Sequence, residues 1–122
     1  MSVIDTDSVS VLPAAAATAS ASGAQVDVRD YEGVAAFVLD SSADAGGDGT
    51  LDVALEQSDD GVTWIAVPGG AFTQVTAAGQ AFERLIVDLD RLGRYIRATE
   101  TIAGTAPSFA RSLTMMAMKK YR

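Results

Sequence analysis

The side chains of this chain that could do chemistry are almost all acidic. Glu56, Glu83, Asp88 and Asp90 are the carboxylates that could pair across a cleft, as the acid and base of a glycosidase do. Asp40, Asp44 and Asp48 fall at four-residue intervals in a Gly/Ser loop and could offer oxygen ligands to a hard cation. Histidine and cysteine are both absent, which excludes Ser-His-Asp and Cys-His nucleophiles, zinc-thiolate sites and disulfides. The acidic loop also departs from the EF-hand pattern. Counting from Asp40, the sixth position is Ala45 where glycine is needed, and the twelfth is Leu51 where glutamate is needed. Nothing places two of the four carboxylates in one cleft. The expectation is therefore a protein with no catalytic residues, no cofactor and no metal.

Two further features could carry a ligand. Trp64, Tyr31, Tyr95 and Tyr121 could stack on sugar rings, although a tryptophan in a strand more often anchors a core. The run SDDGVTW (58–64) is one residue short of the repeated Asp-box of propeller proteins and occurs once, so it reads as a hairpin turn. The formal net charge of -7 argues against nucleic acid and anionic membrane as partners. The charge is also uneven: residues 1–60 hold twelve acids and one base, and residues 61–122 hold four acids and eight bases. Folding either mixes these charges or leaves two faces of opposite sign. No stretch is long and apolar enough for a membrane-spanning helix. The opening MSVIDTDSVSV lacks the features of a secretory signal, so folding in a cytoplasm is expected.

The elements that position these residues are strands. Leu51, Val53 and Leu55 alternate with Asp52, Ala54 and Glu56 over 50–58, the period of a half-buried strand. The run 31–40 is nearly continuous in apolar residues and suits a central strand covered on both faces. Further strands are expected at Val26–Val28 and over 63–68, 71–76, 81–90, 94–101 and 108–120, separated by Gly, Pro and Asp turns, with Pro68-Gly69-Gly70 ending one of them. In the last strand Leu113 and Met115 alternate with Thr114, Met116 and Met118, so neither face is polar, which suggests burial of both in the core or at a subunit contact. The fold class is all-β: an antiparallel β-sandwich, jelly-roll or Ig-like, of about eight strands over residues 25–122. Residues 1–24, with PAAAATASASGA at their end, read as an extended arm or linker that orders on a partner, or as a tail disordered in the free protein, and its removal is expected to leave the sandwich folded. The candidate partner contacts are Val3, Ile4, Val9, Val11 and Leu12 of the arm and Lys119, Lys120 and Arg122 at the chain end, where the cations read equally as a solubilising edge that discourages strand pairing.

Taken together, VDVRDYEGVAAFVLDSS, TLDVALEQSDDGVTWIAVPGGAFTQVT, LIVDLDRLGRYIRATETIAGTAPSFARS and the terminal KKYR resemble head-associated virion proteins of tailed bacteriophages. The likeness covers roughly residues 26–122 and rests on the order of the elements rather than on any one motif. It implies a decoration (cement) protein, with the major capsid protein as partner. It also implies a homo-oligomer, often a trimer, on the exterior of the capsid. Two other readings remain: a tail, neck or fibre component, and a carbohydrate-binding sandwich that uses Trp64 or Tyr95.

Overall fold

A computed structural model describes residues 6–120. Ten strands follow one another: β1 (Thr6–Ala17), β2 (Ala21–Ser22), β3 (Val26–Asp27), β4 (Tyr31–Ser41), β5 (Thr50–Ser58), β6 (Ile65–Ala71), β7 (Val75–Thr76), β8 (Ala81–Asp88), β9 (Tyr95–Ala103) and β10 (Phe109–Lys119). A single 3-10 turn, Leu89–Arg91, separates β8 from β9. The strands form two antiparallel sheets. Sheet A has the order β1-β10-β4-β8, and sheet B has β2-β9-β5-β6, with β3 also on β9 and β7 also on β5.

If β2 and β3 are counted as one strand position and β6 and β7 as another, the eight positions run 1-8-3-6 in sheet A and 2-7-4-5 in sheet B. That is jelly-roll connectivity. The choice between jelly-roll and Ig-like sandwich is thus decided, and the expectation of about eight strands holds.

The core lies between the sheets, as period-two patterning requires. Sheet A contributes Phe37, Leu39, Leu113 and Met115, and sheet B contributes Leu51, Val53, Leu55, Ile96 and Ala98, all almost wholly buried. Two local expectations are corrected. Pro68-Gly69-Gly70 lies inside β6 rather than ending it. Between the pairs Ala54↔Ala71 and Glu56↔Ala66 the register shifts, and Gly69 takes φ +72, a bulge that glycine accommodates without strain. At Gly61, in the turn expected of the SDDGVTW run, φ is +77, a value glycine takes cheaply.

The larger correction concerns the arm. Within the described residues, 6–24 are part of the sandwich rather than a free segment. β1 pairs with β10 from Thr6↔Met118 to Ala17↔Phe109, β2 pairs with β9, and the Gly23 N–H donates to the Ala98 carbonyl at 2.8 Å. The physical reason lies at Leu12. Register shifts on both sides of it turn consecutive residues inward, so Val11 and Leu12 are both core residues, 2% and 3% exposed. Pro13, which donates no hydrogen bond, is tolerated because β1 is an edge strand.

An ion pair spans the sheets beneath this bulge. Arg111 of β10 donates to both carboxylate oxygens of Glu100 on β9, at 2.5 and 2.7 Å, and to the Pro13 carbonyl at 2.7 Å. Both side chains are largely buried, at 11% and 3% exposure, and the bidentate geometry offsets their desolvation.

Candidate interaction surface

The outer faces of the two sheets differ in chemistry. Sheet B is polar outside: Asp52 and Glu56 on β5 stand opposite Thr101 and Arg97 on β9. The Arg97 Nε donates to Glu56 Oε1 at 2.8 Å, and its guanidinium lies 4.3 Å from the centre of the Trp64 ring.

Sheet A is apolar outside. The register lines up Ser8, Met116, Ala36 and Ile86 across its four strands, and Ser10, Thr114, Val38 and Arg84 in the next row. Val34 is 57% exposed, Ile86 56%, Met116 43% and Phe82 77%. Four large apolar side chains thus stand exposed on one face of a four-stranded sheet. The charges on this face, Glu32, Asp40, Arg84 and Asp88, stand among or beside them on β4 and β8. The expectation that strand 31–40 is covered on both faces is therefore corrected for its outer face. Of the two options for the methionine strand, Met115 takes the core and Met116 the open face.

The expected partner contacts divide accordingly. Val3, Ile4 and Arg122 lie outside the described residues, as does Tyr121. Val9 is half-buried against the core, and Val11 and Leu12 are within it, so these three hold the fold instead of reaching for a partner. Lys119 Nζ sits 3.9 Å from Asp7 Oδ1. The Tyr31 hydroxyl donates to Asp7 Oδ2 at 2.7 Å, and burial, together with that hydrogen bond and the negative charge of Asp7, pushes the phenol up to about 12. Lys120 is exposed, and its backbone N–H donates to the Asp30 carbonyl.

Most of the acids singled out for catalysis or metal binding fasten turns and loops, as Asp60 also does. Asp44, 7% exposed, accepts backbone N–H bonds from Ser108, Gly46 and Gly49 at 2.8, 2.9 and 2.5 Å. These donors, Ser108 foremost, hold its carboxyl below the ordinary aspartate value. Asp48 accepts from the Thr105 N–H and hydroxyl. Asp60 accepts from the Thr63 and Val62 N–H groups and the Ser58 hydroxyl, which likewise lower its pKa. Glu83 holds the Thr73 N–H, Asp88 the Asp90 N–H and Asp90 the Gly33 N–H, while Glu56 pairs with Arg97. No three metal-ligating side chains cluster among the described residues.

Among the described residues the aromatic platform does not assemble either. Trp64 lies under Arg97 on the outside of sheet B rather than in the core, and Arg94 covers Tyr95 at 5.1 Å. Tyr31 belongs to sheet A.

Fold and surface together define a jelly-roll sandwich with one polar and one apolar outer face. No protein-family model and no curated protein sequence matches the chain. Among solved structures it is similar to the SPBc2 prophage-derived protein YomS, at 10% identity over 98% of this chain and 97% of that one, with a TM-score of 0.60. It is also similar to the infectious bursal disease virus VP2 subviral particle, at 12% identity over 94% of this chain but 32% of that one, with a TM-score of 0.56. A structure of Bacillus endospore appendages, described as disulfide-linked pili, matches at 18% identity over 95% and 88% of the two chains, with a TM-score of 0.50. At these identities the likeness is one of fold, and this chain has no cysteine for a disulfide linkage. The all-β architecture is thus shared with a prophage-derived protein and a viral capsid protein.

Proposed function

We propose that this protein is a structural component of a phage virion that binds the outer surface of the capsid and braces contacts between major capsid protein subunits. The observation that carries the reading is the apolar outer face of sheet A on an otherwise charged domain. Its exposed Phe82, Met116 and Arg84 are of residue types enriched at interfaces. The jelly-roll fold and the resemblance to head-associated proteins support the same reading. A protein that binds the assembled shell and not its dissociated subunits stabilises that shell by mass action, and many symmetric copies add avidity.

The test is co-sedimentation with capsids that lack the protein. Val34→Lys and Met116→Lys place charges on the exposed face without touching the core. Each is expected to lower capsid affinity by at least about tenfold, since an unpaired lysine would be buried in the contact. Full occupancy by the double variant would overturn the assignment of this face. Particle images with the protein on the tail or neck and none on the head would overturn the capsid reading itself.

A further inference from the structure

The four sheet edges are not alike. An edge leaves backbone N–H and C=O groups unpaired, and such rows recruit other chains unless short strands, prolines or bulges interrupt them. One edge of sheet B is the two-residue strands β2 and β3, and the other is β7, again two residues, with the bulged, proline-containing β6. The β1 edge of sheet A carries Pro13 and two register shifts. The β8 edge carries no such interruption. It runs Ala-Phe-Glu-Arg-Leu-Ile-Val-Asp, without proline or glycine, and pairs with β4 residue for residue from Ser41↔Ala81 to Val34↔Asp88 without a shift.

Its side chains leave it open as well. Phe82 and Ile86 are the exposed residues already named, and Arg84 is exposed between them. The other described arginines each have a carboxylate partner: Arg29 with Asp30, Arg91 with Asp88, Arg94 with Asp27, Arg97 with Glu56 and Arg111 with Glu100. Among the described residues Arg84 has none. Ile86 lies midway between Arg84 and Asp88, and all three project from the same face of the strand.

We infer that β8 is a self-pairing strand, through which two copies join antiparallel about a two-fold axis at Ile86 and merge their A sheets. The axis sets Ile86 against Ile86. It sets Arg84 of each copy against Asp88 of the other, so the opposite charges meet twice, as an isologous contact requires. The order cation–apolar–anion along β8 is self-complementary under this operation, and that is why the occupant is a second copy of this chain. Asp88 keeps its local contacts, to the Asp90 N–H at 3.1 Å and to Arg91 at 3.4 Å, and its side chain is 42% exposed, open to a further cation. The threefold arrangement implied by the family resemblance uses head-to-tail contacts, whereas this one closes as a dimer. It forms without a capsid, so its test is independent of the capsid reading.

Sedimentation equilibrium of the full chain over a concentration series reads the association. The expected result is a monomer–dimer equilibrium. Arg84→Asp, which sets a new carboxylate against Asp88 twice, should raise the dimer dissociation constant at least about 100-fold. Ile86→Lys should also give a monomer, and circular dichroism and the urea midpoint verify that both variants are folded. In the unmodified protein, amide exchange at residues 84–88 should slow as concentration rises, a readout that needs no variant. A chain that is monomeric throughout, one that sediments as a trimer, or a folded Arg84→Asp that dimerises like the parent would overturn the inference.

Discussion

Replacing Leu12 by alanine separates an arm from a strand. Were residues 1–24 a free arm, the truncation would leave the isolated domain unchanged and act only on partner binding. In the structure Leu12 is 3% exposed and packs so tightly on Gly23 that a Cβ added there would lie 2.8 Å from its Cδ2. Leucine-to-alanine changes in cores cost roughly 2–5 kcal/mol, and less where the surroundings can collapse into the space. Leu12 sits on an edge strand at a bulge, where some collapse is available, so the expected loss is about 2–3 kcal/mol. Against a total stability of roughly 5–15 kcal/mol this is a large fraction. It corresponds to a fall of about 1–2 M in the urea midpoint with an unchanged slope, and about 10 °C in melting temperature. The assay is urea unfolding of the isolated chain, with Ser8→Ala, an exposed position on the same strand, as the reference. A Leu12→Ala midpoint equal to that of Ser8→Ala would refute the placement of β1 in the core.

Two further outcomes follow from the polar contacts. Arg111→Met alone leaves Glu100 buried without its partner and should cost about 3–5 kcal/mol in urea unfolding, whereas Arg111→Met combined with Glu100→Leu should recover most of that loss; equal losses in the two proteins would mean that the pair is not desolvated. The Asp44 and Asp60 carboxyls are held below the ordinary value of 3.8 in the folded chain, so the stability they supply is present above that pH and is lost as pH falls through their lower folded values. Asp44→Asn should therefore reduce overall stability at neutral pH and flatten the acid limb of the stability curve below 3.8; an acid limb with undiminished slope would show that the Asp44 carboxylate is not the group being protonated.

The parts of this fold legible in the sequence are those where alternation is strict and turns are marked. Leu51-Val53-Leu55 and Ile96-Ala98 were identifiable as core faces because polar residues flank them at period two. The hairpin at Asp60-Gly61 was identifiable because glycine there accepts positive φ. The strand β1 was not. Alternation is present in Asp7-Ser8-Val9-Ser10-Val11, but the bulge at Leu12 puts two neighbours inward and breaks the period, and the alanines that follow carry too little side chain to show a face. The open face of sheet A was half legible. Apolar residues at both parities in 31–40 and in 113–118 signalled two apolar faces, and period alone cannot say which is covered by the core. The arginines over Trp64 and Tyr95 were hidden for other reasons: Arg97 reaches Trp64 from a strand remote in sequence, and Arg94, the neighbour of Tyr95, acts on the ring as well as on the Asp27 carboxylate.

The uneven charge of the chain finds its explanation in the topology. In sheet A the order β1-β10-β4-β8 alternates a strand from the acidic first half with one from the more basic second half, and β2/β3-β9-β5-β6/β7 does the same in sheet B. Asp7 with Lys119, Asp27 with Arg94 and Glu56 with Arg97 each join an acid of the first half to a base of the second across neighbouring strands. Among the described residues the charges therefore mix, and the two-sided distribution that the composition allowed does not arise there. Each such pair is partly exposed and contributes little by itself. Their joint effect is on specificity, because like charges placed directly opposite are unfavourable and disfavour pairing of a first-half strand with another first-half strand. With charge spent on pairing the two halves, the asymmetry left to the finished domain is hydropathic. Sheet B presents paired ions to solvent, and sheet A presents Val34, Ile86, Met116 and Phe82. That hydropathic difference between the outer faces, on a chain of net charge -7, is the asymmetry on which the proposed capsid contact rests.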